Sequence, residues 1–193
     1  MIRVLNWEDL QNGPLYKGNT AVTIGVFDGV HRGHQALLAR ISARSPALIP
    51  TVVTFKKSPK ENASYRGDIS SFDEKCALFE EAGVEFCVII DFSKNFSRMS
   101  GRDFVNSLKV YLSCAYAAVG DNFYCGFRRD TGAEAFKALA KERGIEVEIQ
   151  NRVLEGGKPV SSSRIRECIE AGRFEDAHLL LGRKLTRRAL YIH

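Results

Sequence analysis

Apolar and β-branched residues run almost unbroken through Thr20-Ala-Val-Thr-Ile-Gly-Val-Phe27, the pattern of a strand buried on both faces of a parallel sheet. Asp28-Gly29 ends it. Beyond Gly33 the period changes, with Leu37, Leu38 and Ile41 at helical spacing, which predicts a helix over 33–44. A second strand is expected over 46–55, and Pro59 stops further regular structure. Ser71-Phe-Asp-Glu74 has capping-box spacing and opens a helix ending near Gly83. Residues 84–90 read as a third strand. Ser100-Gly-Arg-Asp103 starts another helix, with Phe104, Leu108 and Leu112 on its apolar stripe, and 115–119 forms a fourth strand. A helix over 131–143 stops at Gly144 and leads into a fifth strand, 145–149. Two short helices, 161–171 and 173–181, flank Gly172 and close the pattern. Alternating strands and helices with short connections predict an α/β fold with a mainly parallel five-stranded sheet and helices on both faces. No repeat, low-complexity tract or linker divides the chain, so a single domain over 1–193 is expected.

Composition narrows the function. With 193 residues, 45% hydrophobic and 26% charged, the chain has enough apolar content for a full core. The net charge of +5 suits small anionic substrates as well as nucleic acid, and the absence of an aromatic-basic pattern argues against nucleic acid. Cys76, Cys87, Cys114, Cys125 and Cys168 are odd in number, scattered and without a Cys-x-x-Cys, and read as thiols in a reducing compartment. The N-terminal Met1-Ile-Arg-Val-Leu-Asn-Trp-Glu-Asp9 lacks a long apolar run, so no signal peptide or membrane span is expected and the cytoplasm is the expected location.

The first chemical motif is Gly25-Val-Phe-Asp-Gly-Val-His31-Arg-Gly33-His34, where a strand feeds a helix through glycines. Unpaired N–H groups and the helix dipole at such a helix start favour a phosphate. His31 and His34, three apart, can present imidazole N–H donors to one phosphorus centre, which is what phosphoryl or nucleotidyl transfer requires. By spacing alone they read equally as loop residues or half of a metal site; the flanking glycines shift the balance toward phosphate. Asp28 is an orienting or metal-linked carboxylate, or a turn residue.

The second is Val160-Ser161-Ser162-Ser163-Arg164-Ile165-Arg166, after the turn Glu155-Gly-Gly-Lys-Pro159. Serine at a helix start is by default a cap. Three in succession followed by two arginines exceed what capping needs; hydroxyls, N–H groups and the forked cation of Arg166 suit phosphate oxygens. Residues 183–188 read as a frayed basic tail.

Gly25-x-Phe-Asp-Gly-x-His-x-Gly-His34 resembles the signature of the FAD synthetase family, the FMN adenylyltransferase module of bacterial riboflavin kinase/FAD synthetases. Val160 to Arg166 is similar to the Ile-Ser-Ser-Thr-x-x-Arg motif of the wider nucleotidyltransferase superfamily, with Val for Ile and Ser163 for Thr. The resemblance implies a Rossmann-like nucleotidyltransferase fold that moves AMP from ATP, with Mg2+, to FMN, giving FAD and pyrophosphate. It implies His31, His34 and Arg166 as catalytic residues and Gly25, Val26, Phe27, Asp28, Gly33, Ser162 and Ser163 as ATP contacts. Gly120-Asp-Asn-Phe-Tyr-Cys-Gly126 is similar to the family's flavin-lining Gly-[Asp/Glu]-x-Phe-x-Phe-Gly loop, which assigns Asn122 and Phe123 to flavin; read alone, it is an ordinary glycine turn. Cys125 stands where the family has an aromatic. In Lys56-Lys-Ser-Pro59, only Pro59 persists from the family's Pro-His-Pro, and it too is assigned to flavin. The two lysines serve either as point charges for the FMN phosphate or as a solvated charge run. The resemblance covers no riboflavin kinase module, so riboflavin phosphorylation is not expected. Transfer to another phosphorylated acceptor, or flavin or nucleotide carriage without turnover, are the alternatives.

Overall fold

The computed structural model describes residues 1–13, 16–55, 67–91 and 96–186; Lys56–Glu61 with its Pro59, and Phe92, lie outside the described residues. In chain order the elements are β1 (Arg3–Asn6), β2 (Thr20–Ile24), α1 (Arg32–Ser42), β3 (Ile49–Phe55), α2 (Phe72–Glu81), β4 (Phe86–Ile90), α3 (Gly101–Leu112), β5 (Cys114–Gly120), β6 (Tyr124–Cys125), β7 (Thr131–Gly132), α4 (Ala133–Lys141), β8 (Glu146–Gln150), β9 (Leu154–Glu155), β10 (Lys158–Pro159), α5 (Ser162–Glu170) and α6 (Phe174–Leu181).

The main sheet has six strands rather than the expected five, in the order β1-β4-β3-β2-β5-β8, every pair parallel. The extra strand, β1, lies at the edge against β4, from Arg3 opposite Phe86 to Asn6 opposite Ile89. Of its four residues only Leu5 is buried, so no apolar run announced it.

Alternation along the strands sorts the core into two layers. Val22 and Ile24 of β2, Val53 of β3, Val88 and Ile90 of β4 and Ala117 and Val119 of β5 face the buried stripe of α3 (Phe104, Val105, Leu108, Leu112) and Phe136 and Ala140 of α4. Their neighbours Ala21, Val52, Cys87, Tyr116 and Ala118 face Leu37, Leu38 and Ile41 of α1 and Phe79 of α2. Helices therefore cover both faces, as the sequence predicted. The capping box that opens α2 is present in full: Ser71 Oγ accepts from the Glu74 N–H at 3.1 Å, and the Ser71 N–H donates to Glu74 Oε2 at 2.7 Å. A third cluster joins α5 and α6 through Ile165, Ile169, Ala177 and Leu180, with Ile69 and Val160. All five cysteines are free, and among the described residues no helix is long and apolar enough to cross a membrane.

From β2 the chain builds outward through β3 to β4, then returns to place β5 on β2's other side. This order reversal makes a crevice at the carboxyl ends of β2 and β5, where open parallel sheets bind ligands.

Candidate active site

β2 ends at Ile24, three residues before the expected Phe27, because the backbone turns left-handed. Phe27 has φ 54°, Gly29 φ 78° and Val30 φ 39° within a tight turn over Asp28–Val30. For Phe27 and the β-branched Val30 such conformations cost about 1–3 kcal/mol each and persist only where the surroundings fix them.

The surroundings fix this loop through its carbonyls. Val26 O accepts from Thr54 Oγ1 at 3.2 Å and Lys75 Nζ at 3.3 Å. Asp28 O accepts from Ser162 Oγ at 2.9 Å. Gly29 O accepts from Arg183 at 2.7 Å, and Val30 O from Gln35 at 2.9 Å and Arg183 at 3.2 Å. The donors come from β3, α2, α5, α1 and the segment after α6, so the loop is a joint between five separate parts of the chain.

His31, extended at φ −69°, caps α1: its Nδ1 accepts the His34 N–H at 3.4 Å. A neutral imidazole that accepts at Nδ1 carries its proton on Nε2, so His31 presents an Nε2–H donor. The His34 ring stacks on it, centroids 3.6 Å apart and planes 16° from parallel, with Phe27 edge-on to His34 at 5.1 Å. Gly33 leaves room for this stack: a Cβ there would lie 3.2 Å from the His31 ring, a tight contact that the ring would have to shift to accept. Burial lowers the His31 pKa to about 4; burial first, then His31 and Lys75, holds His34 well below the ordinary value. Both rings are therefore neutral at pH 7, and Nδ1 of His34 is buried without a hydrogen-bond partner among the described residues.

These depressed values set a pH dependence of stability. The unfolded chain takes up protons on its histidines near pH 6.5, whereas native His31 does so only near pH 4, so stability falls as pH drops between the two. His31 contributes about 3 kcal/mol to that fall. Melting temperatures recorded from pH 7 down to 4 should decline more steeply for the native chain than for His31→Gln; parallel curves would contradict the assignment.

Asp28 is engaged through both of its carboxylate oxygens. It is 5% exposed; Oδ1 accepts the N–H groups of Ile69 at 2.8 Å and Ser70 at 3.3 Å, and Oδ2 pairs with Arg166. Burial pushes its carboxyl above the usual range, and Arg166 with the two N–H groups pulls the other way. Arg166 also donates from Nε to Gly67 O at 3.1 Å. The cation expected to stand open for phosphate is thus committed through two nitrogens to the floor of the site.

The three serines divide their tasks. Ser161 caps α5, accepting the Arg164 N–H at 3.2 Å; Ser162 bonds Asp28 O; Ser163 is exposed in the first turn. Arg164 binds Glu155 O and Lys158 O at 3.0 Å, securing the β9–β10 ribbon. Arg32 pairs with Glu155, a second tie between the two motifs. Residues more than 130 positions apart in the chain therefore meet.

At the end of β5, Phe123 N–H donates to Gly120 O at 3.0 Å, making Asp121-Asn122 the centre of a turn. Asn122 is exposed. Phe123 is half-buried, its ring edge-on to Phe136 at 5.1 Å, so it supports the turn from the core side. The Arg129 guanidinium lies 4.4 Å from the Tyr124 ring centre, and Cys125, partly buried, has its thiol pushed up to about 12 by burial.

Two residues escaped the sequence reading. Lys75, 4% exposed, joins Val26 O to Phe55 O, both at 3.3 Å. Its signal was placement four residues before buried Phe79, on the apolar stripe of α2. Arg183, read as the start of a frayed tail, is instead half-buried against the motif loop; Arg187 and Arg188 lie outside the described residues.

A bifunctional riboflavin kinase/FMN adenylyltransferase of Pseudomonas fluorescens is 32% identical over 189 residues, which cover 93% of this chain and 59% of that protein. The chain thus spans less than two thirds of the length of the curated relatives it matches. Among solved structures, one described as a macrolide-efflux protein from Streptococcus pneumoniae aligns with TM-score 0.82 at 27% identity, covering 96% of this chain and 63% of that one. Pantothenate synthetase from Thermus thermophilus, at TM-score 0.54 and 16% identity, covers 98% of this chain and 82% of its own and shares the α/β architecture. The sequence model of the FAD synthetase family matches residues 14–164, a stretch holding the whole histidine motif and the start of the serine-arginine turn: the chain belongs to the FAD synthetase family.

Proposed function

We propose that this chain is an FMN adenylyltransferase, a single domain over 1–193 that transfers AMP from magnesium-bound ATP to FMN and releases pyrophosphate. The observation that carries this is that Ser162 and Arg166 are bonded to Asp28, in the same loop at the carboxyl end of β2 that leads into two neutral, stacked imidazoles, within a chain of this family. A phosphate oxygen of FMN attacks the α-phosphorus of ATP in line. The new P–O bond forms as the bond to the β-phosphate oxygen breaks, and that oxygen leaves with its electron pair on pyrophosphate. Imidazole N–H donors of His31 and His34, with the first-turn N–H groups of α1, meet the charge on the equatorial oxygens, and no protein nucleophile takes part.

Gly25, Val26, Phe27, Asp28 and Gly33 are assigned to the floor under ATP, a reading supported by the bond of Ser162 to the Asp28 carbonyl; Ser163, exposed in the first turn of α5, is assigned to the triphosphate. Arg166 acts by holding Asp28 in place and adding positive potential toward the departing phosphates. On the acceptor side Asn122 offers an amide to the flavin edge, Phe123 stiffens the turn that presents it, and Pro59 is assigned to flavin by family resemblance. Five free thiols fit a cytoplasmic location.

Purified protein supplied with Mg-ATP and FMN should form FAD and pyrophosphate in equal amounts over many turnovers. Flavin retained without product would make it a carrier; no FAD and no retained flavin would point to another phosphorylated acceptor.

A further inference from the structure

We propose that Arg183 is a positioning residue for adenylyl transfer, a clamp from just beyond α6 that holds the histidine loop in its reactive shape; its kinetic consequence rests on the activity proposed above. Its guanidinium donates to two consecutive loop carbonyls, Gly29 O at 2.7 Å and Val30 O at 3.2 Å, and to Ser70 Oγ at 3.4 Å. Ser70 adjoins Ile69, and the N–H groups of both hold Asp28. One planar fork therefore ties together the left-handed turn and the segment that seats the Asp28 carboxylate.

The loop needs such a hold. Phe27, Gly29 and Val30 all have positive φ, and relaxation of Val30 would swing His31, the next residue and the cap of α1. Gln35 completes the fastening: its amide donates to Val30 O at 2.9 Å and to Leu181 O at 2.8 Å, so the end of α6 and the loop share one donor. Partial burial lowers the Arg183 pKa, and Glu74 and Glu81 of α2 oppose that shift electrostatically without cancelling it. A lysine there offers a point charge without a fork, and cannot match two carbonyls and a hydroxyl at once.

The test compares the native chain with Arg183→Met and Arg183→Lys. Hydrogen exchange, read by mass spectrometry, should quicken in Arg183→Met for peptides spanning residues 27–34 and stay unchanged for β5. In the FAD-forming assay, kcat should fall about 10- to 100-fold in Arg183→Met and less in Arg183→Lys, with KM for FMN little changed, because a misplaced donor is felt in the transition state. Guanidinium chloride at non-denaturing concentration should restore part of the lost kcat where matched KCl does not; Arg183 lines a cavity of about 290 Å³ through which the small cation can enter. Unchanged exchange over 27–34 overturns the clamp whether or not the native chain makes FAD. Quickened exchange in a variant that keeps native kcat overturns its catalytic consequence. A native chain that makes no FAD defeats the proposed activity, and the exchange measurement still decides whether Arg183 holds the loop.

Discussion

Replacing His34 by alanine is expected to lower kcat for FAD formation by about 10²–10³, the usual cost of removing one preorganised donor from a charge-developing centre. The side chain is well suited to that task. It stacks on His31 at 3.6 Å, is held by the edge of Phe27, and stays neutral because burial and two neighbouring groups oppose its protonation. A neutral ring keeps one N–H donor without the desolvation cost of a buried cation. Nδ1 is buried with no hydrogen-bond partner among the described residues. Alanine in the first turn of α1 is a good helix former and leaves the His31 cap on the His34 N–H intact, so circular dichroism should report a folded chain. His34→Gln, which restores an N–H donor in a less fixed place, should recover part of the loss. An alanine variant with native kcat would remove His34 from the chemistry.

Legibility of the fold followed burial. β2 through β5 and the helices between them were legible as elements, though β2 ends three residues early, because both faces of those strands are covered, which leaves long apolar runs. β1 was missed for the opposite reason: one buried residue in four makes no pattern. Local hydrogen-bond chemistry was equally readable where it is sequential, as in the Ser71–Glu74 capping box. What sequence could not give was the destination of long side chains. Arg166 was assigned to phosphate, yet its first partner is Asp28, 138 positions earlier; Lys75 and Arg183 look like ordinary surface cations until the fold brings the loop carbonyls to them. Phe123, which the resemblance assigns to flavin, leans on Phe136, a contact that the sequence of the turn at Asp121-Asn122 did not announce. Motif spacing thus located the site, while the division of labour within it needed three dimensions.

The Arg166–Asp28 pair gives the largest expected effect on stability. Side-chain exposures are 20% for Arg166 and 6% for Asp28, so removing the cation strands a buried carboxylate. Arg166→Met should cost about 3 kcal/mol, the lower end of the range for breaking a buried pair because the guanidinium keeps some contact with water. For a chain of this length that is a fall in Tm of about 10 °C. Asp28→Asn keeps an oxygen to accept from Ile69 and Ser70 while removing the charge. The double variant Asp28→Asn/Arg166→Met should therefore be more stable than the sum of the single losses, since neither charge is left alone. Its stability and its activity should separate: Tm recovers in part, whereas kcat stays low because the positive potential beside the triphosphate is gone. Strict additivity in Tm would mean that each side chain stabilises the site through other neighbours, and recovery of kcat with Tm would reduce Arg166 to a structural brace.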